Sequence, residues 1–317
     1  MNLPHQYLHE HPEFTDILDI VSKQQGIIPS LIEKDYWMMH CLYGLQQLGL
    51  TFELKGGTSL SKGWKILNRF SEDIDIRIEP PLELNVKVGS NHMSPKHRES
   101  RKHFYDYLAN TLDIDGVIEV SRDENFDDAK YRSGGIRIHF PSSFETIVGV
   151  KDGILLEVGF DDVIPNVPHT ISSWAFDYAS KLIPIIDNRA RDVACYHIGY
   201  ALVEKLQTIS TKFRTQQEQG TMPQNFVRHY YDVYCLLRVP SVQAFIGTEE
   251  FYQHKAKRFR KNDNLNLLEN EAFLLSKLEV RTLYEQSFER TRALYYDQPP
   301  RFSKILEVIQ DNLPRLS

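Results

Sequence analysis

The sequence predicts an α+β fold: a mixed sheet with helices over residues 1–185, then an α-helical C-terminal domain over residues 186–317. Three patterns predict it. Residues 73–78, Asp-Ile-Asp-Ile-Arg-Ile, alternate strictly between charged and apolar, which is strand periodicity. Residues 153–160, Gly-Ile-Leu-Leu-Glu-Val-Gly-Phe, are apolar on both faces, as a central strand should be. Beyond residue 185 the apolar positions recur at helical spacing instead, as in Ile198, Ala201, Leu202, Leu206 and Ile209.

The elements follow in order from local signals. Residues 1–50 read as helices. One of them, 32–43, follows Pro29-Ser30 and carries Glu33, Lys34 and Asp35 inside an apolar pattern. That charged cluster either braces a site or faces solvent. Residues 51–54, Thr-Phe-Glu-Leu, form a short strand that enters Gly56-Gly57, where the backbone has no Cβ to restrict it. Thr58 is placed to cap a helix over 59–67. The chain reverses through 68–72 and enters the strand 73–78. Residues 79–95 read as a polar, turn-rich loop, 97–112 as a helix, and 116–121, 130–140 and 153–160 as strands. Helices are expected over 190–212, 225–238, 241–258, 270–293 and 302–313.

The stretch 54–78 concentrates the chemistry. A helix start behind Gly56, Gly57, Thr58 and Ser59 offers free N–H groups to an anion. In the strand that follows, Asp73, Asp75 and Arg77 share one face and three isoleucines share the other. Two carboxylates one pleat repeat apart can jointly hold a divalent cation, and oxygen ligands of this kind suit Mg²⁺ bound together with substrate phosphates. A Gly-Gly turn alone is common, and an Asp-x-Asp on an edge strand is usually a solvated face; the two in this order, with Ser71 just before the acids, are far more specific. Glu157 is the best third carboxylate, because a glutamate in an apolar strand is costly unless it is paired or coordinates a cation. Asp161 and Asp162 are rivals at the strand end.

Taken together, Lys55-Gly56-Gly57-Thr58-Ser59-Leu60 and Arg69-Phe70-Ser71-Glu72-Asp73-Ile74-Asp75 resemble the AbiEii/AbiGii toxin family, nucleotidyltransferases of the DNA polymerase β-like superfamily. Ile32-Glu33-Lys34-Asp35-Tyr36-Trp37 resembles the family's N-terminal signature. Val203-Glu204-Lys205-Leu206-Gln207-Thr208 resembles its lysine motif, and Arg228-His229-Tyr230-Tyr231-Asp232-Val233-Tyr234 its later Arg/Asp motif. The match spans roughly residues 30–240 in the expected order.

The resemblance implies a polymerase β-like sheet and transfer of a nucleoside monophosphate from an NTP to an acceptor, with pyrophosphate released. It implies that Asp73, Asp75 and Glu157 hold two Mg²⁺ ions, or Mn²⁺ in their place. It implies nucleotide contacts at Lys55, Gly56, Gly57, Thr58, Ser59, Arg69 and Ser71. Lys205 is expected to face the triphosphate and Asp232 to orient Lys205 or the acceptor, so both join the two aspartates as catalytic candidates. By residue pattern alone, Lys205 at the edge of an apolar stripe is equally well a snorkelling lysine, and Asp232 can pair with Arg228 four residues before it. The expected acceptor is tRNA or another RNA, the expected setting a type IV toxin–antitoxin or abortive-infection system, and the expected partner a cognate antitoxin. Modification of protein side chains, a silent nucleotide-binding module, and a structural role in a defence complex are the competing readings.

Composition sets the outer bounds. With 41% hydrophobic and 25% charged residues, the chain is ordinary for a soluble globular protein. No apolar run approaches membrane-span length and the start has no basic-then-apolar pattern, so a cytoplasmic location is expected. Three widely separated cysteines indicate neither disulfides nor a zinc site. His9/His11 and His92/His97/His103 show no ligand spacing and read as surface. Net charge is −6, which argues against a generally basic nucleic-acid binder. Two local patches, 96–103 and 254–261, could track an RNA backbone or be solvated helix faces, and Phe259 inside the second favours nucleic acid.

Overall fold

A seven-stranded sheet organises the first two thirds of the chain, with strand order β3-β4-β5-β2-β1-β7-β6. The computed structural model describes residues 5–89, 91–145, 152–223 and 225–317. Two helices lead in, α1 (Phe14–Gln25) and α2 (Pro29–Gln47), and β1 (Phe52–Lys55) runs into the short α3 (Gly56–Thr58). The chain continues through β2 (Asp73–Ile78), α4 (Pro95–Thr111), β3 (Glu119–Asp123), β4 (Ser133–His139), β5 (Ile154–Gly159), β6 (Asn166–Ile171), α5 (Trp174–Ala179) and β7 (Ala190–Tyr196). The remaining helices are α6 (Ile198–Gln219), α7 (Arg228–Leu236), α8 (Pro240–Phe245), α9 (Glu249–Arg258), α10 (Glu271–Leu274), α11 (Leu278–Glu289) and α12 (Phe302–Leu316).

The sheet is mixed, as the alternation and the all-apolar run require. β2 pairs antiparallel with β1 and parallel with β5, and β7 pairs parallel with β1. Burial follows the pattern read from the sequence: Ile74, Ile76 and Ile78 are fully buried, while Asp75 and Arg77 are half-buried. α2 is buried along nearly its whole length and packs against α1, α5, β5 and β7. A helix that close to the centre should be apolar all round. It nevertheless buries Glu33, Lys34, Asp35 and His40, so the charged cluster does not face solvent.

The chain divides into two compact units. One comprises residues 1–64 and 70–196; the other comprises 65–69 and 197–317. In the helical unit, α6 packs against α7, α8, α9 and α10, and α12 packs against α7, α10 and α11.

Several local expectations are corrected. Residues 190–196 are a strand, not the start of a helix: Ala194 and Cys195 register with Glu53 and Leu54. The apolar stripe of α6 ran back across this strand in the sequence because nothing helix-breaking separates them. β6 carried no usable signal, being half-exposed and interrupted by Pro168 at the sheet edge. The helix after the glycines spans neither 59–67 nor starts at a Thr58 cap. It begins at Gly56, opens into a π-turn over Ser59–Gly63, and ends before Lys65, whose φ is +55°.

His9 is not a surface residue: its Nδ1 lies 2.8 Å from the Tyr36 hydroxyl and its ring packs on Trp37 and His40. The basic patches are also partly structural. Arg101 is fully buried and donates to the carbonyls of Lys87, His92 and Lys130. In the second patch Lys255 is buried and donates to the Leu316 carbonyl, Arg258 pairs with Glu204, and Phe259 belongs to the core rather than to a stacking surface.

Candidate active site

Sheet register assembles the first cluster. Antiparallel pairing places Lys55 opposite Asp75, and parallel pairing places Glu157 opposite Asp75 on the other side. Registered partners project to the same face of a sheet. Lys55, Asp75 and Glu157 therefore form one row across β1, β2 and β5, and Asp73 lies one pleat repeat along β2. The Lys55 ammonium extends over Gly159. Two residues along, on the same face, Arg77 pairs with Glu53 at 3.0 Å. Asp73 is only 8% exposed, whereas Asp75 and Glu157 are half-buried.

The glycine turn is fitted to this row. Gly56 has φ +71°, and a Cβ there would lie 1.9 Å from Asp75 Oδ2. The carboxylate thus occupies the space that a side chain at position 56 would fill. Gly57, Thr58 and Ser59 are buried, and the Thr58 hydroxyl donates to the Asp73 carbonyl, which joins the turn to the start of β2. Ser59 Oγ is buried, with the Cys195 thiol as its polar neighbour. Ser71 is buried just before the acids.

These residues fit a hard cation in part. Among the described residues, no three His, Cys, Asp or Glu side chains are placed to hold a metal ion by themselves. Asp73, Asp75 and Glu157 each engage other groups as well. Mg²⁺, however, is commonly held by one or two carboxylates with water and phosphate oxygens completing the shell. The Asp73/Asp75 pair beside the glycine turn matches that donor chemistry.

The turn also carries an ion pair that residue spacing does not specify. Lys62 Nζ, in the π-turn, is 2.6 Å from Asp35 Oδ1 on α2 and 4.5 Å from the centre of the Trp174 ring. The other Asp35 oxygen accepts from the Trp174 amide at 3.0 Å. Burial raises the Asp35 carboxyl pKa, and Lys62 works against that rise without cancelling it. The signal was present as charged residues within an apolar helix, but the partner could not be named from spacing.

The second cluster belongs to the helical unit. Asp232, fully buried on α7, accepts two hydrogen bonds from Arg69, each 2.7 Å long, and pairs with Lys205 of α6 at 2.9 Å. Burial alone would raise the Asp232 carboxyl pKa; the Arg69 and Lys205 charges more than offset it and hold the group well below the usual carboxylate range. Burial likewise opposes the Arg69 charge and Asp232 outweighs it. His229 Nδ1 stands 3.9 Å from Asp232, and burial, then Lys205, pushes its pKa well down, which keeps it neutral. Arg69 and Lys205 thus reach Asp232 from elements distant in sequence. Arg69, expected at the phosphates, is committed to this carboxylate.

Comparison with known proteins adds two findings. A family model described as the nucleotidyl transferase AbiEii toxin of type IV toxin–antitoxin systems matches residues 40–308. Among solved structures, the chain is similar to MenT4, a nucleotidyltransferase toxin from Mycobacterium tuberculosis H37Rv, with 14% identity, a TM-score of 0.50, and coverage of 93% of this chain and 98% of that one. At that identity the likeness concerns the fold alone. No curated protein matches the sequence.

Proposed function

The chain belongs to the AbiEii family of nucleotidyltransferase toxins of type IV toxin–antitoxin systems, and from that premise we propose that it moves a nucleoside monophosphate from an NTP to an RNA acceptor, with tRNA as the first candidate. The observation that carries this reading is the registered row Lys55–Asp75–Glu157 with Asp73 beside it, set against a glycine turn whose shape leaves room for the Asp75 carboxylate. In the reaction, an acceptor hydroxyl oxygen bonds to the α-phosphorus, its proton passes to base or solvent, and the bond to the pyrophosphate oxygen breaks.

Asp73 and Asp75 are the proposed Mg²⁺ ligands, with Glu157 the proposed third and Mn²⁺ a substitute. When bound, the ions would lower the pKa of the acceptor hydroxyl and neutralise the leaving pyrophosphate. The backbone N–H groups of Gly57 and Thr58 would donate to phosphate oxygens, and the Ser59 hydroxyl, now beside the Cys195 thiol, would turn to one of them. Lys55 and Ser71 would assist there. Lys205 would meet triphosphate charge, with Asp232 holding its ammonium and Arg69 holding Asp232. The family premise brings a cognate antitoxin as partner. Among the described residues no helix is long and apolar enough to cross a membrane.

The test incubates the purified protein with Mg²⁺, each α-labelled NTP in turn, and total bacterial RNA plus cell protein, beside an Asp73→Ala/Asp75→Ala control. Label moving to tRNA-sized RNA only with the wild type is the expected result. Label on protein would replace RNA with a protein acceptor, and no label on either would refute the transfer reading.

A further inference from the structure

Lys62 sits in the segment that the proposed reaction needs most, yet the chemistry around it argues against a phosphate contact. Its ammonium is already within 2.6 Å of Asp35, and the side chain is only 15% exposed. Drawing that charge away to a ligand would strand the Asp35 carboxylate, 2% exposed, without its counter-charge.

The segment also has a reason to need a tie. Ser59–Gly63 is wound as a π-turn closed by Trp64 N–H donating to the Ser59 carbonyl at 3.0 Å. Its approaches are left-handed, with φ +71° at Gly56 and +55° at Lys65. A single π-turn is less favourable than α-winding and persists where its surroundings impose it. Rewinding to α would shift the register by one residue, about 100° around the axis. That rotation would carry Ser59 and the adjoining N–H groups away from the start of β2. Asp35 opposes it from two sides: one oxygen holds Lys62 and the other holds the first amide of α5, while the Trp174 ring lies under the ammonium. Nothing about packing requires ions here, since apolar side chains can fill such a position as stably. An ion pair does fix one geometry.

We propose that Lys62 is a positioning residue: clamped by Asp35 and Trp174, it locks the π-turn that presents the Ser59 side chain and the N–H groups of Gly57 and Thr58, and it takes no phosphate itself. The kinetic part of this rests on the nucleotidyl-transfer reading above; the conformational part does not. The experiment therefore has two arms on the full chain, with Lys62→Met, Asp35→Asn, the double variant, and Lys62→Arg. Arginine can keep both the carboxylate and the ring contact.

In the first arm, hydrogen exchange of the amides of 57–64 is measured without nucleotide. Both single variants should exchange faster than wild type and Lys62→Arg should stay close to it. In the second, the dissociation constants of the four α,β-methylene NTPs with Mg²⁺ are measured, together with KM and kcat. Each single variant should weaken binding about tenfold, as loss of a supporting partner typically does. The double should be no worse than either, because both remove one and the same tie. KM should rise more than kcat falls. If Asp35→Asn binds nucleotide as tightly as wild type or better while Lys62→Met does not, Lys62 is a direct ligand and the proposal is wrong. Unchanged exchange in both single variants also overturns it. Faster exchange in a protein whose wild type binds no nucleotide would uphold the tie and sink the transferase reading instead.

Discussion

Replacing Gly56 by alanine offers a direct test of the fitted turn. At φ +71° an alanine pays for a left-handed backbone, about 1 kcal/mol. It also places a Cβ 1.9 Å from Asp75 Oδ2, 2.7 Å from its Cγ and 3.0 Å from its Cβ. The carboxylate must swing aside, which costs roughly another 1 kcal/mol in rotamer strain. Gly26→Ala supplies the control. Gly26 has nearly the same φ, +67°, but nothing lies within 4 Å of its would-be Cβ. Gly26→Ala should therefore cost about 1 kcal/mol and Gly56→Ala about 2 kcal/mol, the latter a fall of roughly 4–8 °C in melting temperature. The two should separate far more in the transfer assay. Displacing a candidate metal ligand should lower kcat/KM about 100-fold or more, while the control remains within about twofold. The assay is a thermal melt beside initial rates of label transfer. A Gly56→Ala protein with wild-type kcat/KM would mean that Asp75 does not need the position it holds, and the site reading would collapse.

Other predictions test the interior. Asp232→Asn breaks a buried network in which Arg69 is 1% exposed, and should destabilise the helical unit by about 3–5 kcal/mol in urea unfolding. Arg69→Met should cost a similar amount and the double variant less than the sum; additive losses would show that the two residues are not coupled. Because the folded Asp232 carboxyl titrates well below its ordinary value, its contribution is present above about pH 4 and declines as the pH falls further. The histidines act at milder pH. Burial, then His40, holds the His9 pKa near about 3, and burial also lowers His40, so both are neutral in the fold. Their stability contribution is present above the ordinary histidine range and is lost as pH falls through it, at most about 1.4 kcal/mol per pH unit each. His9→Gln should flatten the pH 7-to-5 dependence of unfolding; an unchanged slope would remove His9 from the account.

Much of the candidate site on the sheet was legible in the chain. Asp73-Ile74-Asp75-Ile76-Arg77-Ile78 had to be a strand with its acids on one face, because period two leaves no other amphipathic solution. The Gly-Gly turn before it and the apolar run around Glu157 were local signals of the same kind. Register was not local. That Asp75 lies opposite Glu157 depends on β2 and β5 pairing in parallel across the intervening residues 79–153, and no pattern within either strand specifies which neighbour it takes.

The same division holds for the charges. The sequence by itself determined that Glu33, Lys34 and Asp35 sit within an apolar helix, and that Lys205 and Asp232 lie on helices of the second half. Only the tertiary structure decided what each one meets. Asp35 meets Lys62 and the Trp174 amide, and Asp232 meets Arg69 and Lys205. The physical reason is that a buried charge is stable only with a counter-charge within a few ångströms, and helix periodicity reports which side of an element is buried, never which distant element lies against it.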